Sequence, residues 1–444
     1  MRLRKHRVIV GGLAFMAVAA FWQMYDNVIP LILRKTFNMN ETLAGGVMAL
    51  DNIFALFLLP LFGSISDRTE TKIGKRMPYI VFGTAAAIIL MNALPILDNS
   101  FVAVASTGKM ILFVIILGLL LIAMGTYRSP AVALMPDVTP KPLRSKANAI
   151  INLMGALGGA IYLGLTAVLY PNSKTEGLAH VDYQILFIIV AAIMLVSVVL
   201  LFFTIKEPQL VAENKALEAQ HPEWNLAVDD GSGNEILPPQ VKKSLGFLLA
   251  SIALWFMGYN GVTTWFSTYV DEVMGQGIGG ASTCLLVATV GAIISYIPIG
   301  IIASKIGRKK TIQIGIIVLA ACFALGYVLT TTSSSITVVM YIVFALVGFA
   351  WAAINVNSLP MVVEMCKGSD IGKFTGYYYT ASMAAQVVTP ILAGTLLRNI
   401  SYKVLFPYAA FFVACSFVTM LFVTHGDVKA EAKKGIEAFE DMDD

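Results

Sequence analysis

Long apolar segments alternate with short polar loops along the whole chain. Twelve of these segments are close to or above the roughly 20 residues that a helix needs to cross a lipid bilayer. They lie at residues 8–33, 42–65, 79–97, 110–134, 147–169, 184–205, 244–270, 280–303, 311–331, 336–363, 374–397 and 402–424. The sequence lacks the polar/apolar alternation of barrel strands, so every span must be a helix that satisfies its own backbone. We therefore predict an all-α membrane protein with twelve transmembrane helices.

The composition supports a membrane location. Hydrophobic residues make up 57% of the chain and charged residues 13%, whereas soluble domains carry about 25% charged residues. The net charge of +4 is explained by basic loops, so it does not indicate a nucleic-acid partner. The four cysteines show no CxxC spacing and predict neither a disulfide nor a metal site. They are Cys284, Cys322, Cys366 and Cys415.

The basic residues predict the orientation of the chain. If both ends lie on one side, that side holds the N-terminal arginines, the turn at 66–78, the cluster at 305–310 and most other loop lysines. The opposite side holds Arg34, Lys35, Lys109, Lys174, Arg398 and Lys403. The positive-inside rule then places both termini in the cytosol, and the compact loops favour the plasma (inner) membrane of a bacterium. The first span is too long for a signal-peptide core, so we expect it to be retained.

Residues 206–243 form the one long polar stretch between spans. The stretch contains several prolines and more acidic than basic residues, which is typical of a linker. We predict an N-terminal six-helix bundle at 1–205, a cytoplasmic linker at 206–243, a C-terminal six-helix bundle at 244–424 and a cytoplasmic tail at 425–444.

A short basic motif occurs twice, about half the chain apart. The copies are G-S-I-S-D-R followed by G-K-R, at 63–76, and G-I-I-A-S-K-I-G-R-K at 300–309. In both, a glycine is followed four residues later by Asp or Ser, then by a cation and a Gly-basic-basic cluster. The ends of the fourth and tenth spans also match. This duplication predicts two parallel halves with a transport site near the middle of the membrane.

These residues resemble the major facilitator superfamily, whose most characteristic motif is this turn. The longer first copy, P-x2-G-x2-S-D-R at 60–68 and G-K-R-x-P at 74–78, resembles the sucrose-transporter-like branch and the related glycoside–pentoside–hexuronide:cation symporters. The segments at 22–30, 128–137 and 255–260 are similar to the same branch. The resemblance covers the chain apart from the linker and the tail. It implies cation-coupled uptake of a sugar or glycoside, with a disaccharide such as sucrose or maltose as the substrate.

One departure from that family bears on the coupling ion. Sodium-coupled members carry two aspartates just before the Pro-x2-Gly of the second helix. The matching positions here are Leu59 and Ala55, so that sodium site is not present as such. Asp51 is the only acid of this helix within the membrane. We therefore expect coupling to a proton in preference to sodium.

Ionisable residues inside a membrane are costly and usually functional. We predict that Asp26 in the first span or Asp51 in the second carries the proton, with Arg128 in the fourth span as its partner. The alternatives are an outer helix cap for Asp26, a polar clamp between helices for Asp51 and Asn52, and snorkelling to the cytosol for Arg128. All histidines lie in loops or near the ends, which excludes a histidine relay; they are His6, His180, His221 and His425.

Amides and aromatic rings are the natural lining of a sugar site, because amides bond hydroxyl groups and ring faces cover the C–H side. Asn355 and Asn357 are two residues apart on one helix, so at most one of them points squarely into a cavity. Each candidate has simple packing as its alternative. The predicted lining residues are Tyr25, Asn27, Asn52, Tyr259, Asn260, Trp351, Asn355 and Asn357.

The charges of the two motif turns are predicted to close the cytoplasmic side. Asp67 can cap the following segment and pair with a cation of the adjoining helix. Asp137 and Glu364 lie where they can pair with Arg68, Arg308 or Lys305, and breaking such pairs would couple the two gates. The alternative is that these charges only set the topology. The predicted gate residues are Asp67, Arg68, Arg76, Asp137, Lys305, Arg308 and Glu364.

The sequence does not indicate an enzyme. It has no Walker A, HExxH or GxSxG motif, and the G-x-G-x2-G at 275–280 lies in a predicted loop and follows no strand. Without an ATP site, transport must be secondary, and we expect a monomer that works by alternating access with no cofactor or metal. Two other functions remain open. One is a proton antiporter that exports a small hydrophobic compound, and the other is a non-transporting sensor with a transporter fold.

Overall fold

A computed structural model describes residues 5–140, 143–175, 177–220, 238–365 and 371–427. A π-helical turn at Ile32–Thr36 extends the first helix, and a 3₁₀ turn at Tyr402–Val404 precedes the last one. The α-helices are α1 (Lys5–Leu31), α2 (Glu41–Met48), α3 (Leu50–Asp67), α4 (Met77–Ala103), α5 (Thr107–Val138), α6 (Arg144–Leu169), α7 (Asn172–Thr175), α8 (Gln184–Thr204), α9 (Glu207–Gln220), α10 (Pro239–Met274), α11 (Ile278–Ile306), α12 (Arg308–Thr332), α13 (Val338–Val363), α14 (Ile371–Asn399) and α15 (Leu405–Leu421).

Some sequence predictions concern residues outside this described part of the chain. They are Arg2, Arg4, Lys141, His221, Cys366, Lys367, residues 221–237 of the linker and the tail from residue 428, together with the side chains of His6 and Lys146.

The described residues include twelve helical stretches that are long and apolar enough to cross a membrane, and each overlaps one predicted segment. The prediction of an all-α membrane protein with twelve spans is confirmed. Several helices are longer than their apolar segments. For example, α10 begins at Pro239 rather than at residue 244, and α4 continues to Ala103 rather than ending at residue 97. Polar flanks can continue a helix beyond the bilayer, and an apolar count does not detect them.

The second span is not a single helix. It is interrupted at Ala49, between α2 and α3, although the Ala49 N–H still bonds the Gly45 carbonyl at 2.9 Å. Gly45 and Gly46 lie just before the interruption, and glycine is the poorest helix former after proline. The interruption lies two residues before Asp51, one of the predicted coupling residues.

Contacts divide the chain into two compact units. Unit 1 comprises Met1–Asn40, Leu50–Thr166 and Gly177–Asn225, and unit 2 comprises Glu41–Ala49, Ala167–Glu176 and Leu226–Asp444. The main division, after Asn225, falls inside the predicted linker. Two short segments of the first half group with unit 2 because α2 packs against α14 and α7 packs against α11.

Within unit 1, α5 packs against α3 and α4, while α8 packs against α1 and α4. Close approach of α6 to α1 requires a glycine, since a Cβ at Gly158 would collide with the Met16 carbonyl. Within unit 2, α13 packs against α11 and α12, and α10 packs against α14 and α15. There Gly45 of α2 lies directly against the Pro390 carbonyl of α14. Small residues at such crossings let helix backbones meet in a membrane.

Candidate functional site

Asp26, Asp51 and Arg128 come together in unit 1 from three different helices. Asp51, at the start of α3, interacts electrostatically with Arg128 of α5 and with Asp26 of α1. The Asn52 amide donates to Asp51 Oδ1 at 2.8 Å, and the Arg128 guanidinium carbon lies 5.9 Å from the centroid of the Trp22 ring. All three ionisable side chains are half-buried. We call Asp26, Asp51 and Arg128 the carboxylate cluster, in which Asp51 interacts both with the second acid and with the guanidinium.

The positions of these residues bear on the alternatives raised by the sequence. Asp26 lies inside α1, which continues to Leu31, so it does not cap the end of that helix. Arg128 lies about 15 Å along α5 from the helix end at Val138, at the usual rise per residue. Its guanidinium lies over Trp22 of α1, which places the charge against another helix of the unit.

The two neighbours of Arg128 hold its helix in place. Tyr127 is fully buried, and its hydroxyl donates to the Ala14 carbonyl of α1 at 3.0 Å. Ser129 Oγ donates to the Leu59 carbonyl of α3 at 2.8 Å. These bonds flank the arginine and fix the backbone from which it extends. Sequence reasoning missed both residues, although a hydroxyl on each side of a membrane arginine is a readable signal.

Unit 2 contains a pair of stacked aromatic rings. Tyr259 of α10 and Trp351 of α13 have ring centroids 3.7 Å apart and planes within 4° of parallel. Phe256 meets the same tryptophan edge to face at 5.3 Å. Both stacked residues are half-buried, and the neighbouring Asn260 has an amide oxygen without a hydrogen-bond partner among the described residues. We call Tyr259 and Trp351 the aromatic stack.

The predicted lining residues fall into two groups by exposure. Tyr25, Asn27, Asn355 and Asn357 are buried in the packing of their own unit, with 5% exposure for Asn355 and 1% for the other three. Asn357 donates to the Ala353 carbonyl of its own helix at 2.9 Å. The second group, Asn52, Tyr259, Asn260 and Trp351, is half-buried. Substrate contact by the first group stays a prediction that requires the local packing to open.

The first basic turn is centred on Arg76, which is 4% exposed. Its Nη2 donates to Asp67, its Nε donates to Asp137 Oδ2 at 3.0 Å, and its Nη1 donates to Ser66 Oγ at 2.5 Å. Lys75 Nζ lies 3.1 Å from the same Asp137 oxygen. The end of α5 is thereby tied to the end of α3 through one buried arginine.

A carboxylate from outside the motif completes this turn. Glu207, at the start of α9, is 1% exposed and accepts the backbone N–H groups of Lys75, Arg76 and Met77 at 2.9–3.1 Å. These N–H groups begin α4, where an acceptor with negative charge is favourable. Sequence reasoning missed Glu207, because it lies about 130 residues from its partners in a segment predicted as a linker.

The second basic turn, in unit 2, repeats this arrangement with different residues. Arg308 forms an ion pair with Glu364 at the end of α13. The backbone N–H of Lys309 donates to Asp427 Oδ1 at 2.9 Å, and Lys309 Nζ donates to the Val423 carbonyl at 2.6 Å. Asp427 lies just beyond the last span of its unit, as Glu207 does in unit 1.

The pairing of the gate charges differs in detail from the sequence prediction. Asp137 pairs with Arg76 and Lys75 rather than with Arg68, and Glu364 pairs with Arg308 rather than with Lys305. Arg68 and Lys305 are exposed. The course of the backbone explains the difference. The chain changes direction at the glycine of each turn, so the basic residues after that glycine face Asp137 or Glu364, and the earlier cation does not. Opening and closing of these pairs during transport stays a prediction.

Sequence comparisons place the chain among known proteins. A model of the Major Facilitator Superfamily matches residues 11–295 and 277–440. "Multidrug resistance protein 2" of Bacillus subtilis (strain 168) is 24% identical over 406 residues, which cover 84% of this chain and 94% of that protein. "Alpha-ketoglutarate permease" of Escherichia coli (strain K12) is 25% identical over 190 residues, which cover 43% of this chain and 39% of that protein.

Solved structures show the same fold at low sequence identity. The inward-open xylose transporter XylE from E. coli matches with a TM-score of 0.66 and 16% identity, covering 94% of this chain and 95% of that chain. The nucleoside transporter NupG matches with a TM-score of 0.67 and 13% identity, covering 94% of this chain and all of that one. The family model identifies the superfamily, and the solved structures show the fold. They do not distinguish the sucrose-transporter-like branch from other branches.

Proposed function

Because the chain belongs to the Major Facilitator Superfamily, a superfamily of membrane transporters, we propose that it takes up a sugar or glycoside together with a proton. The substrate would be a small carbohydrate, with a disaccharide such as sucrose or maltose as the first choice. The protein would lie in the plasma membrane with both termini in the cytosol and would use no cofactor. The carboxylate cluster is the observation that carries this proposal.

The charge balance of the cluster suits a proton carrier. With both carboxylates ionised, Asp26 and Asp51 contribute two negative charges and Arg128 one positive charge, so the cluster holds one excess negative charge. Binding of one proton makes the cluster neutral. Charge inside a membrane is costly, so the loaded and unloaded forms differ strongly in their electrostatics. A transporter can use this difference to link proton binding to a conformational step.

The aromatic stack suits a carbohydrate. A flat pair of rings offers an apolar face for the C–H side of a sugar, and the Asn260 amide oxygen can accept a bond from a hydroxyl. The stack is already formed and half-buried, which limits the ordering needed when a ligand binds. In this proposal unit 1 supplies the coupling chemistry and unit 2 supplies the sugar platform.

A second function is favoured by one specific observation, the 24% identity to "Multidrug resistance protein 2" over most of the chain. In this alternative the protein exports a small hydrophobic compound in exchange for a proton. The carboxylate cluster would serve it equally well, and the aromatic stack would bind an apolar ring. The two functions differ in substrate polarity and in the direction of flux relative to the proton.

Transport by the purified protein in proteoliposomes separates these functions. We would supply a labelled panel of sucrose, maltose, melibiose, glucose and a uronide under an imposed inward proton gradient, and separately under a sodium gradient. Empty liposomes and Asp51→Asn proteoliposomes are the controls. Accumulation of a sugar driven by protons supports the proposal. Accumulation driven only by sodium overturns the coupling assignment. No uptake of any sugar, with proton-driven counter-movement of a hydrophobic dye, supports the export function instead.

A further inference from the structure

A second group of titratable residues lies in unit 1, far from the basic turn. Asp98 is near the C-terminal end of α4, about 30 Å along the helix from its start at Met77. His180 lies in the loop before α8, and its Nε2 is 3.8 Å from Asp98 Oδ2. Thr36, in the π-helical turn after α1, approaches the same histidine. Three separate elements therefore meet at this acid and this imidazole.

Asp98 is an unusual residue in this structure. Its side chain is 0% exposed; the Thr36 hydroxyl approaches the carboxylate, but neither oxygen makes a hydrogen bond of ordinary geometry to a described residue. An ionised carboxylate in such surroundings has lost its water and gained only this weak hydroxyl contact, which is strongly unfavourable. The group therefore needs either a proton or a cation beside it. His180 is the titratable group that the fold places within reach.

The hydrogen bonds around His180 fix its orientation. Asp182 only accepts when ionised, so its 2.9 Å contact with Asn99 Nδ2 identifies that atom as the amide nitrogen. The Asn99 oxygen then faces His180 Nε2 at 2.8 Å, so Nε2 carries a hydrogen and donates. His180 Nδ1 faces the Thr36 hydroxyl at 3.4 Å, and this hydroxyl can act as donor or acceptor. A second ring proton can be accepted at Nδ1 without moving any partner.

Other charged groups near the pair already have partners. Asp182 accepts the backbone N–H of Gln184 at the start of α8 at 2.9 Å as well as the Asn99 amide. Lys109, at the start of α5, donates to the Ser100 and Val104 carbonyls, and Arg34, beside Thr36, donates to the Met39 carbonyl. Lys35 is the other cation of the π-helical turn. His180 itself is 21% exposed, so protons from water can reach the ring.

We propose that Asp98 and His180 hold one proton between them and form a pH-sensitive latch that ties the ends of α1 and α4 to the segment before α8. With the proton bound, either the carboxyl is neutral beside a neutral imidazole or the carboxylate lies beside an imidazolium, so no buried charge is isolated. When the proton leaves, Asp98 remains as a buried anion and the contact weakens. The predicted orientation places this latch on the outer side, where it would respond to external pH. The latch is separate from the carboxylate cluster and does not depend on the transported substrate.

Thermal unfolding of the purified full chain in detergent, measured from about pH 5 to about pH 8, tests the latch because imidazole changes charge in this range. Loss of the proton isolates a buried anion in the folded protein, whereas both side chains are hydrated in the unfolded chain, so wild-type stability should fall as pH rises. Asp98→Asn is a permanent mimic of the neutral carboxyl. We compare the Tm of this variant with that of wild type at each pH. The difference, variant minus wild type, should be about 3 °C larger at the alkaline end of the range than at the acidic end. The carboxylate-to-amide control is Glu70→Gln, an exposed site that should track wild type at every pH.

His180→Gln tests the histidine. The glutamine amide can still donate to Asn99 but cannot bind a proton, so we expect a loss of about 3 °C in Tm at the acidic end and less than about 1 °C at the alkaline end. His425→Gln, which changes a half-buried histidine of unit 2, is the matched control. If Asp98→Asn and wild type show parallel pH profiles, the proposal is wrong. If the Asp98 effect is present but His180→Gln matches wild type throughout, Asp98 titrates alone and the latch is again refuted.

Discussion

Replacement of Arg76 by methionine tests whether the first basic turn is a structural lock or only a topology signal. The Arg76 side chain is 4% exposed and bonds Asp67, Asp137 and Ser66. Arg68 belongs to the same turn, but it is exposed, and its side chain has no hydrogen bond or ion pair with any described residue. Arg76→Met and Arg68→Met therefore remove the same charge at a bonded and at an unbonded position.

The contacts set the expected magnitude. Hydrogen bonds to charged partners contribute about 1.5–3 kcal/mol each, and removal of one member of a buried ion pair costs about 3–5 kcal/mol. Two features lower the cost here: Asp67 and Asp137 are 58% and 24% exposed, and Lys75 remains 3.1 Å from Asp137. We expect a loss of about 3 kcal/mol for Arg76→Met and less than about 1 kcal/mol for Arg68→Met.

Thermal unfolding in detergent, followed by tryptophan fluorescence, measures this difference. For a folding unit of this size, 1 kcal/mol corresponds to about 2–4 °C in Tm. The Tm of Arg76→Met should fall by about 6–12 °C, and that of Arg68→Met by less than about 4 °C. Arg76→Lys keeps the positive charge but lacks the planar guanidinium group, so its Tm should lie between those of the two methionine variants. Equal shifts for the two methionine variants would refute the lock, because they would show that only the charge of the turn matters.

Three further predictions concern coupling, binding and packing. In Asp26→Asn and Asp51→Asn, tested singly, the true proton carrier should lose uphill uptake in proteoliposomes yet keep counterflow exchange; normal uphill uptake by both variants would contradict the coupling assignment. Trp351→Ala should weaken sugar binding about tenfold by titration calorimetry while Trp351→Phe keeps most of it, and equal affinities would exclude the stack as a platform. Gly45→Val should lower the Tm by several degrees because it collides with a backbone carbonyl, whereas its neighbour Gly46→Val, in open space, should not; equal shifts would show that this helix crossing is unimportant.

The membrane spans were predictable because a single physical requirement defines them. A helix that crosses the bilayer must present an uninterrupted apolar segment, and all twelve segments match helices in the structure. The interruption at Ala49 was not predicted, because its residues are as apolar as the rest of the span. The same is true of the grouping of residues 41–49 with unit 2. That grouping depends on which helix lies beside Gly45, and apolarity does not specify a neighbour.

The carboxylate cluster was predictable for a related reason. Ionisable residues are so rare inside the spans that Asp26, Asp51 and Arg128 are conspicuous, and few partners are available to each. The Asp98–His180 pair was missed because Asp98 follows its predicted span directly and His180 lies in a loop. Each residue looks like an ordinary solvated residue on its own. Only the folded chain shows that the carboxylate is buried and that the loop returns to it.

The two basic turns show why an internal repeat can be stronger in structure than in sequence. Glu207 accepts N–H groups at the start of α4, and Asp427 accepts the N–H of Lys309 at the start of α12. In each turn a glycine with positive φ comes just before the helix, Gly74 at 117° and Gly307 at 93°, a conformation that costs glycine little. A helix N-terminus requires only that a carboxylate oxygen accept its N–H groups. The acid can therefore be Glu in one unit and Asp in the other, and it can lie at a different distance along the sequence from the helix that it caps. In both units the segment after the last span is thus bound to the start of the third span. These bonds constrain the ends of the two elements to move together, and they are supplied by residues that lie outside the recognised motif.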